Sequence, residues 1–152
     1  MKLHRDLMDL LGAFSSSNVE YLVVGGWAVS IHAEPRFTKD LDLLIGDSPV
    51  NLSRAVDALT LFGAPSDILG KASALAADEF LFFGTPPARV DLLRSIPGVD
   101  FNAAFIRRLD VSLDDLLVHV ISRDDLIASK RAAGREKDLR DLRLLEKAVT
   151  TK

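Results

Sequence analysis

The stretch YLVVGGWAVSIHAEPRFTKDLDLLI, from Tyr21 to Ile45, decides the fold that this sequence predicts. It begins with four apolar residues and a glycine pair, a pattern typical of a buried strand followed by a tight turn. Residues 27–33 then predict two turns of helix, which end before Pro35. Residues 40–45 predict a second strand. The stretch therefore predicts a strand, a turn, a short helix, a basic loop and a strand.

Asp40 and Asp42 alternate with leucines in the second strand. Side chains of a strand point to opposite faces in turn, so we expect both carboxylates on one face. Two carboxylates that share a face repel each other unless a cation or a proton lies between them. Asp91 lies between Val90 and Leu92 in another predicted strand, so we expect a third carboxylate that points away from apolar neighbours. Three such groups would suit Mg²⁺, which prefers oxygen ligands. Surface alternation on an edge strand is the simpler alternative.

Gly25 and Gly26 precede a predicted helix, and free N–H groups at the start of a helix attract phosphate. The sequence lacks the lysine of a Walker loop and the third glycine of a dinucleotide fingerprint. Arg36 and Lys39 come just before the aspartates. They could contact triphosphate oxygens or remain solvated charges of a loop.

Length and composition predict one ordinary domain covering residues 1–152. The formal net charge of −3 gives no reason to expect a surface dedicated to nucleic acid. The absence of cysteine excludes disulfides and thiolate metal sites. No secretory signal or membrane-spanning apolar run is recognisable. We therefore expect a soluble, cytoplasmic protein, and leave its oligomeric state open.

The remaining periodicity predicts an α/β or α+β fold with a mixed sheet flanked by helices. Gly12 and the three serines at 15–17 mark the predicted end of the first helix, and residues 64–78 are ambiguous. A hairpin about Asp114-Asp115, or a single strand, is predicted over 111–121. The other predicted elements are a helix between Ser48 and Gly63, strands at 79–84 and 89–93, a helix at 102–109, and helices at 122–132 and 135–148.

The last predicted helix has an apolar stripe and many charges. The stripe consists of Leu139, Leu142, Leu145 and Val149. The charges could form a basic face, with Lys130 and Lys137, that holds phosphates. They could equally pair on a solvated surface, Asp138 with Arg135 and Asp141 with Lys137.

Trp27 could stack on a base, but core packing is the simpler interpretation. We expect packing or capping roles for His32 and His119. A zinc site is not favoured, because the histidines are scattered and the sequence has no cysteine.

Two parts of the sequence carry a family resemblance. The first is Gly25-Gly26-Trp27-Ala28, then His32, then Arg36-x-Thr38-x-Asp40-x-Asp42-Leu43. It resembles the signature of the DNA polymerase beta-like nucleotidyltransferase superfamily. The second runs from Asp125 to Asp141 and is similar to the tail of the AbiEii-like and related groups, some of which belong to toxin–antitoxin pairs. Together the matches span about residues 20–145.

The resemblance implies a nucleotidyltransferase fold with a C-terminal helical hairpin and the site at one end of the sheet. It implies that Asp40, Asp42 and Asp91 bind two Mg²⁺ ions and that Asp91 activates the acceptor hydroxyl. Gly25, Gly26, Lys130 and Arg36 would hold the triphosphate. Many members have serine where Gly26 stands, and its hydroxyl binds a phosphate; this sequence departs from that pattern.

The resulting hypothesis is a Mg²⁺-dependent enzyme that transfers a nucleoside monophosphate from a nucleoside triphosphate to an acceptor hydroxyl. The acceptor could be RNA such as a tRNA end, a partner protein or a small molecule. A non-catalytic nucleotide-binding antitoxin or adaptor is the main alternative. A glycosyltransferase that uses Asp-x-Asp for its metal is disfavoured by the short chain.

Overall fold

The computed structural model describes residues 3–150, and the side chains up to residue 148. Within that range seven helices and six strands form an α+β fold. The elements are α1 (Arg5–Ser16), β1 (Tyr21–Val24), α2 (Gly25–His32), β2 (Asp40–Ile45), α3 (Pro49–Phe62), α4 (Ser66–Ser73), β3 (Phe80–Phe83), β4 (Arg89–Leu93), α5 (Phe101–Ile106), β5 (Leu109–Leu113), β6 (Leu116–Val120), α6 (Arg123–Ala133) and α7 (Glu136–Thr150).

The six strands form one mixed sheet in the order β3-β4-β2-β1-β6-β5. β2 is central: it pairs antiparallel with β1 and parallel with β4. β3 adds antiparallel to β4, and β6 adds parallel to β1. The mixed sheet predicted from the sequence is therefore confirmed, and it brings two separate parts of the chain, β2 and β4, side by side.

The register of the sheet separates an apolar face from an acidic one. Asp42 lies opposite Val24 on one side and Asp91 on the other. Residues directly opposite each other on neighbouring strands share a face. Leu41 and Leu43 point the other way and are almost completely buried. The alternation expected in β2 therefore holds, with its leucines in the core.

The helices group at two places on the sheet. α1 packs on α3, which also contacts α4 and β2. α6 and α7 form an antiparallel pair that contacts α2. This second group lies next to β1 and the start of α2, so the C-terminal hairpin is brought to the glycine pair.

Two local predictions differ from the structure, and a third case, left open between two alternatives, is decided by it. α1 continues through Gly12 and ends near the serines. The predicted helix at 102–109 ends at Ile106, and Leu109 begins β5, because it pairs with Val120 across the sheet. Such long-range pairing overrides weak local preferences. The hairpin alternative is confirmed: Asp114 and Asp115 both have positive φ, as a two-residue hairpin turn of the mirror-image type requires.

The apolar stripe predicted for the last helix is only partly correct. Leu145 is fully buried and Leu142 partly so, but Leu139 is 43% exposed. Asp138 and Asp141 are buried instead, because the side of α7 that carries these carboxylates faces cationic side chains of the fold. Val149, the fourth predicted member, lies outside the described side chains. Among residues 3–150 there is no helix with the length and apolarity needed to span a membrane.

Candidate active site

The structure brings Asp40 and Asp42 of β2 together with Asp91 of β4 on one face of the sheet. One carboxylate oxygen from each residue lies within 4.8 Å of the other two, and all three side chains are partly buried. The cause is the parallel register of β2 and β4, which sets Asp91 directly beside Asp42. Three carboxylate oxygens at this separation form a donor set suited to a hard divalent cation.

The carboxyl group of Asp42 has a strongly raised pKa. Burial is the main cause of the rise from 3.8 to about 7, the charges of Asp91 and Asp40 contribute to it, and Lys130 and Lys137 oppose it. A carboxyl that resists ionisation in the bare protein is stabilised as an anion by a bound cation. The electrostatics of Asp42 therefore fit a metal ligand.

Arg89 is a member of this site that the sequence analysis did not identify. Its Nε lies 3.0 Å from Asp91 Oδ1 and 3.9 Å from Asp40 Oδ1. The signal was available, since Arg89 stands two residues before Asp91 in one strand and so shares its face. With all three carboxylates ionised, the one guanidinium would leave an excess of two negative charges, which a divalent cation would offset.

The glycine pair is the first turn of α2 and not a separate turn before it. Gly25 has φ of 66°, and a β-carbon at this position would overlap the carboxylate of Asp42. A β-carbon on Gly26 would lie only 2.8 Å from Thr38 Cγ2. Glycine is therefore needed at position 25, whereas a β-carbon at position 26 would require the Thr38 side chain to shift. The helix has no side-chain cap, so the N–H groups of its first turn are available to an anion.

A pocket of about 290 Å³ opens beside Gly25, Gly26 and Asp42. This volume is at the lower end for small-molecule sites, so it suits a phosphate chain better than a whole nucleotide. Its basic lining residues are Arg36, Lys130, Arg135, Lys137 and Arg140. The combination of a helix start, cations and one of the three aspartates favours a polyphosphate ligand.

Asp141 links two of these cations across the fold. Its Oδ1 accepts a hydrogen bond of 2.6 Å from Arg36 Nη1, and its Oδ2 lies 3.0 Å from Lys130 Nζ. The predicted pairing of Asp141 with Lys137 is therefore wrong, because the carboxylate faces the fold and not the helix surface. Burial raises the pKa of Asp141, but the hydrogen bonds from Arg36 and Lys130 outweigh it and lower the pKa.

Asp138 is the second buried acid of α7, with its side chain 1% exposed. It accepts hydrogen bonds from the Arg135 backbone and side chain and lies 3.5 Å from Lys130 Nζ. The pairing with Arg135 is the one suggested for a solvated surface, but here the carboxylate is buried. Arg135 and Lys130 together lower its pKa, although burial opposes them. Lys130 is thus held between two carboxylates at the wall of the pocket.

The remaining predicted residues lie elsewhere. Lys39 is exposed and is not among the residues that line the pocket. Trp27 is partly buried and packs against the core, with its edge in a separate surface depression beside Phe37. The His32 ring is 2.7 Å from the Ile121 carbonyl oxygen. His119 Nδ1 lies 2.6 Å from Asp110 Oδ1. Both histidines have structural partners, as expected.

One comparison with known proteins is informative. A family model described as "Nucleotidyltransferase of unknown function (DUF6036)" matches residues 2–150. The match includes the glycine pair, the three aspartates and α7, and it supports the nucleotidyltransferase assignment without extending to the AbiEii-like group. No curated protein matches the sequence.

Proposed function

The chain belongs to the DUF6036 family of nucleotidyltransferases, and we propose that it transfers a nucleoside monophosphate from a nucleoside triphosphate to an acceptor hydroxyl. The observation that carries this proposal is the convergence of Asp40, Asp42 and Asp91 beside the start of α2 and the basic pocket. Acids that can hold a metal and cations that can hold phosphates are thereby adjacent. This is the arrangement that phosphoryl transfer needs.

Asp40, Asp42 and Asp91 would hold Mg²⁺, and we propose two ions by resemblance to the wider superfamily. When bound, magnesium would neutralise the carboxylates and polarise the phosphate and acceptor oxygens. The bare site supports this assignment, since Arg89 offsets only part of the negative charge and the pKa of Asp42 is near 7. Carboxylates in such a cluster repel each other unless a cation joins them.

The phosphate chain would lie in the pocket along the first turn of α2. Backbone N–H groups of this turn would donate to phosphate oxygens, and Gly25 and Gly26 leave room for them. Arg36 and Lys130 line the pocket and are held in place by Asp141, so they would meet the phosphates without first being ordered. Lys39 is exposed, and its proposed contact with triphosphate would require movement of its loop.

The proposed chemical step is an in-line displacement at the α-phosphorus. The acceptor oxygen forms a new bond to this phosphorus, and the bond from phosphorus to the bridging oxygen breaks. Pyrophosphate leaves towards the basic pocket. Asp91 would accept the proton of the acceptor hydroxyl, because it lies on the side of Asp42 away from the glycine pair.

Incubation with labelled nucleoside triphosphates, Mg²⁺ and cell lysate tests this function. The wild type should attach label covalently to an acceptor and release pyrophosphate, and the Asp40→Asn/Asp42→Asn double variant should not. Equal labelling by both proteins would remove the enzymatic proposal. The nature of the labelled molecule would also identify the acceptor and test the suggested role in a toxin–antitoxin pair.

The non-catalytic adaptor remains the competing hypothesis. It predicts triphosphate binding without pyrophosphate release, and a biological output that survives Asp42→Asn. The presence of all three acids in close contact favours catalysis. Turnover of a nucleotide sugar, in place of a triphosphate, would instead support the glycosyltransferase alternative.

A further inference from the structure

Two phenylalanines lie exposed on the edge strand beside the acidic site. Phe80 and Phe82 of β3 are 57% and 53% exposed, and their rings are stacked with centroids 6.4 Å apart. Neither residue belongs to the buried core, whereas Leu81 between them does. Burying an aromatic ring is strongly favourable, so two adjacent rings left open on one face mark a surface for binding.

The register places this aromatic pair on the same face as the three aspartates. Phe82 lies directly opposite Asp91, which in turn lies opposite Asp42. Arg89 connects the two groups: its guanidinium carbon lies 4.3 Å from the centroid of the Phe82 ring, and its Nε contacts Asp91. The aromatic surface is therefore continuous with the proposed catalytic site.

The order of the strands indicates what this surface would bind. The glycine pair and the cations of the phosphate pocket belong to α2, the loop after it, and the α6–α7 hairpin, and the pocket also reaches Leu93 at the end of β4. β3 lies beyond β4, so Phe82 is separated from Asp42 by Asp91. An in-line displacement requires the acceptor to approach from the side opposite the leaving pyrophosphate. If the triphosphate occupies the pocket, the acceptor must arrive over Asp91 and Phe82.

We propose that the acceptor is the end of a single-stranded nucleic acid whose bases stack on Phe82 and Phe80. This inference rests on the proposed function, and it names the substrate class of the same site. Successive rings along a strand and an adjacent arginine plane are the features with which proteins hold unpaired bases. A tyrosine side chain of a partner protein would use a single ring, so it would leave the second phenylalanine unexplained.

Fluorescence anisotropy with labelled single-stranded RNA tests the proposal directly. The wild type, with Mg²⁺ present to offset the acidic face, should bind the strand. The Phe80→Ala/Phe82→Ala double variant should bind it about tenfold or more weakly, because each lost base–ring stack costs several-fold in affinity. Phe37→Ala is the matched control, since Phe37 is 78% exposed but lies outside this face, and it should bind normally. A strand of the same length without bases should bind poorly to every protein.

Binding of a triphosphate alone, measured separately, should be the same in the wild type and the double variant. Equal RNA binding by these two proteins, or equal binding of the strand without bases, would overturn the proposal. Label found on a polypeptide, in amounts unchanged in the double variant, would also overturn it and assign a protein acceptor. RNA binding that depends on the phenylalanines, with no transfer by the wild type, would support the surface while refuting the enzymatic function.

Discussion

The carboxylate of Asp42 lies directly against the backbone of Gly25, in the space that a β-carbon would occupy. Gly25 also has φ of 66°, in the left-handed region that residues with side chains rarely adopt. The glycine pair and the Asp-x-Asp pattern are therefore one structural unit. Glycine follows β1 directly, as the first residue of α2, so the acid of the next strand can reach the start of this helix.

Gly25→Ala should destabilise the protein by at least about 1–2 kcal/mol, the usual cost of a left-handed conformation for a residue with a β-carbon. It should also displace Asp42 and reduce the increase in Tm that Mg²⁺ produces. Thermal unfolding with and without Mg²⁺ measures both effects. Gly12→Ala is the control, since nothing lies within 4 Å of its added carbon. That change should stabilise α1 by about 0.5–1 kcal/mol and leave the Mg²⁺ effect intact.

Asp42→Asn should stabilise the metal-free protein at neutral pH. The pKa of Asp42 is raised in the folded state, from 3.8 to about 7, so the folded protein holds a proton that the unfolded chain has lost. The free energy of unfolding of the wild type should therefore fall, relative to the variant, as the pH rises from about 4 to 7. The full difference is roughly 4 kcal/mol.

Urea unfolding in EDTA across this pH range measures the Asp42 effect, with Asp57→Asn as a control. Asp57 is exposed on α3, so its replacement should change the free energy of unfolding by less than about 0.5 kcal/mol. Mg²⁺ should restore the stability of the wild type at neutral pH and have less effect on Asp42→Asn. A difference between wild type and variant that is constant from acid to neutral pH would contradict the assignment.

Asp91→Asn should lower the rate of transfer by about 10²–10⁴-fold, the usual contribution of a general base. Binding of the triphosphate should change much less, because the cations and the glycine pair of the phosphate pocket are unaffected and Asp91 is not among the residues that line it. Single-turnover rates and equilibrium binding, measured side by side, separate these effects. A loss of triphosphate binding as large as the loss of rate would argue against the assigned role.

Asp141→Ala should destabilise the protein by about 2–3 kcal/mol, because it removes charged hydrogen-bond partners from Arg36 and Lys130. It should also weaken triphosphate binding, since both cations would lose their fixed positions at the pocket. Chemical unfolding and binding assays measure the two losses.

Glu146→Ala is the matched control for Asp141→Ala. Glu146 forms an ion pair of 3.1 Å with Arg131, between the same two helices, but both side chains are well exposed. Solvent screens such pairs, so its loss should cost less than about 1 kcal/mol. Similar losses for the two variants would show that the buried position of Asp141 is unimportant.

Much of the site was predictable because its signals are local. Alternation in Asp40-Leu41-Asp42-Leu43 determines which side chains share a face, and glycine before a short helix determines where the backbone stays open. The hairpin at Asp114-Asp115 was likewise one of two alternatives that a short pattern suggested. In each case the interaction partners are only a few residues apart in the chain.

Only the tertiary structure decided the partners of the charged residues. Arg36 pairs with Asp141 across 105 positions of the sequence, and Asp91 meets Asp42 through a strand register that no local pattern specifies. Leu139 faces solvent while Asp138 is buried, because the cations near α7 outweigh the apolar period. The sequence by itself determined the types of most elements and the faces of β2, where the interacting residues are close together in the chain. Long-range packing determined which faces met, since the free energy of an ion pair or of strand pairing depends on distances that are set when the whole chain has folded.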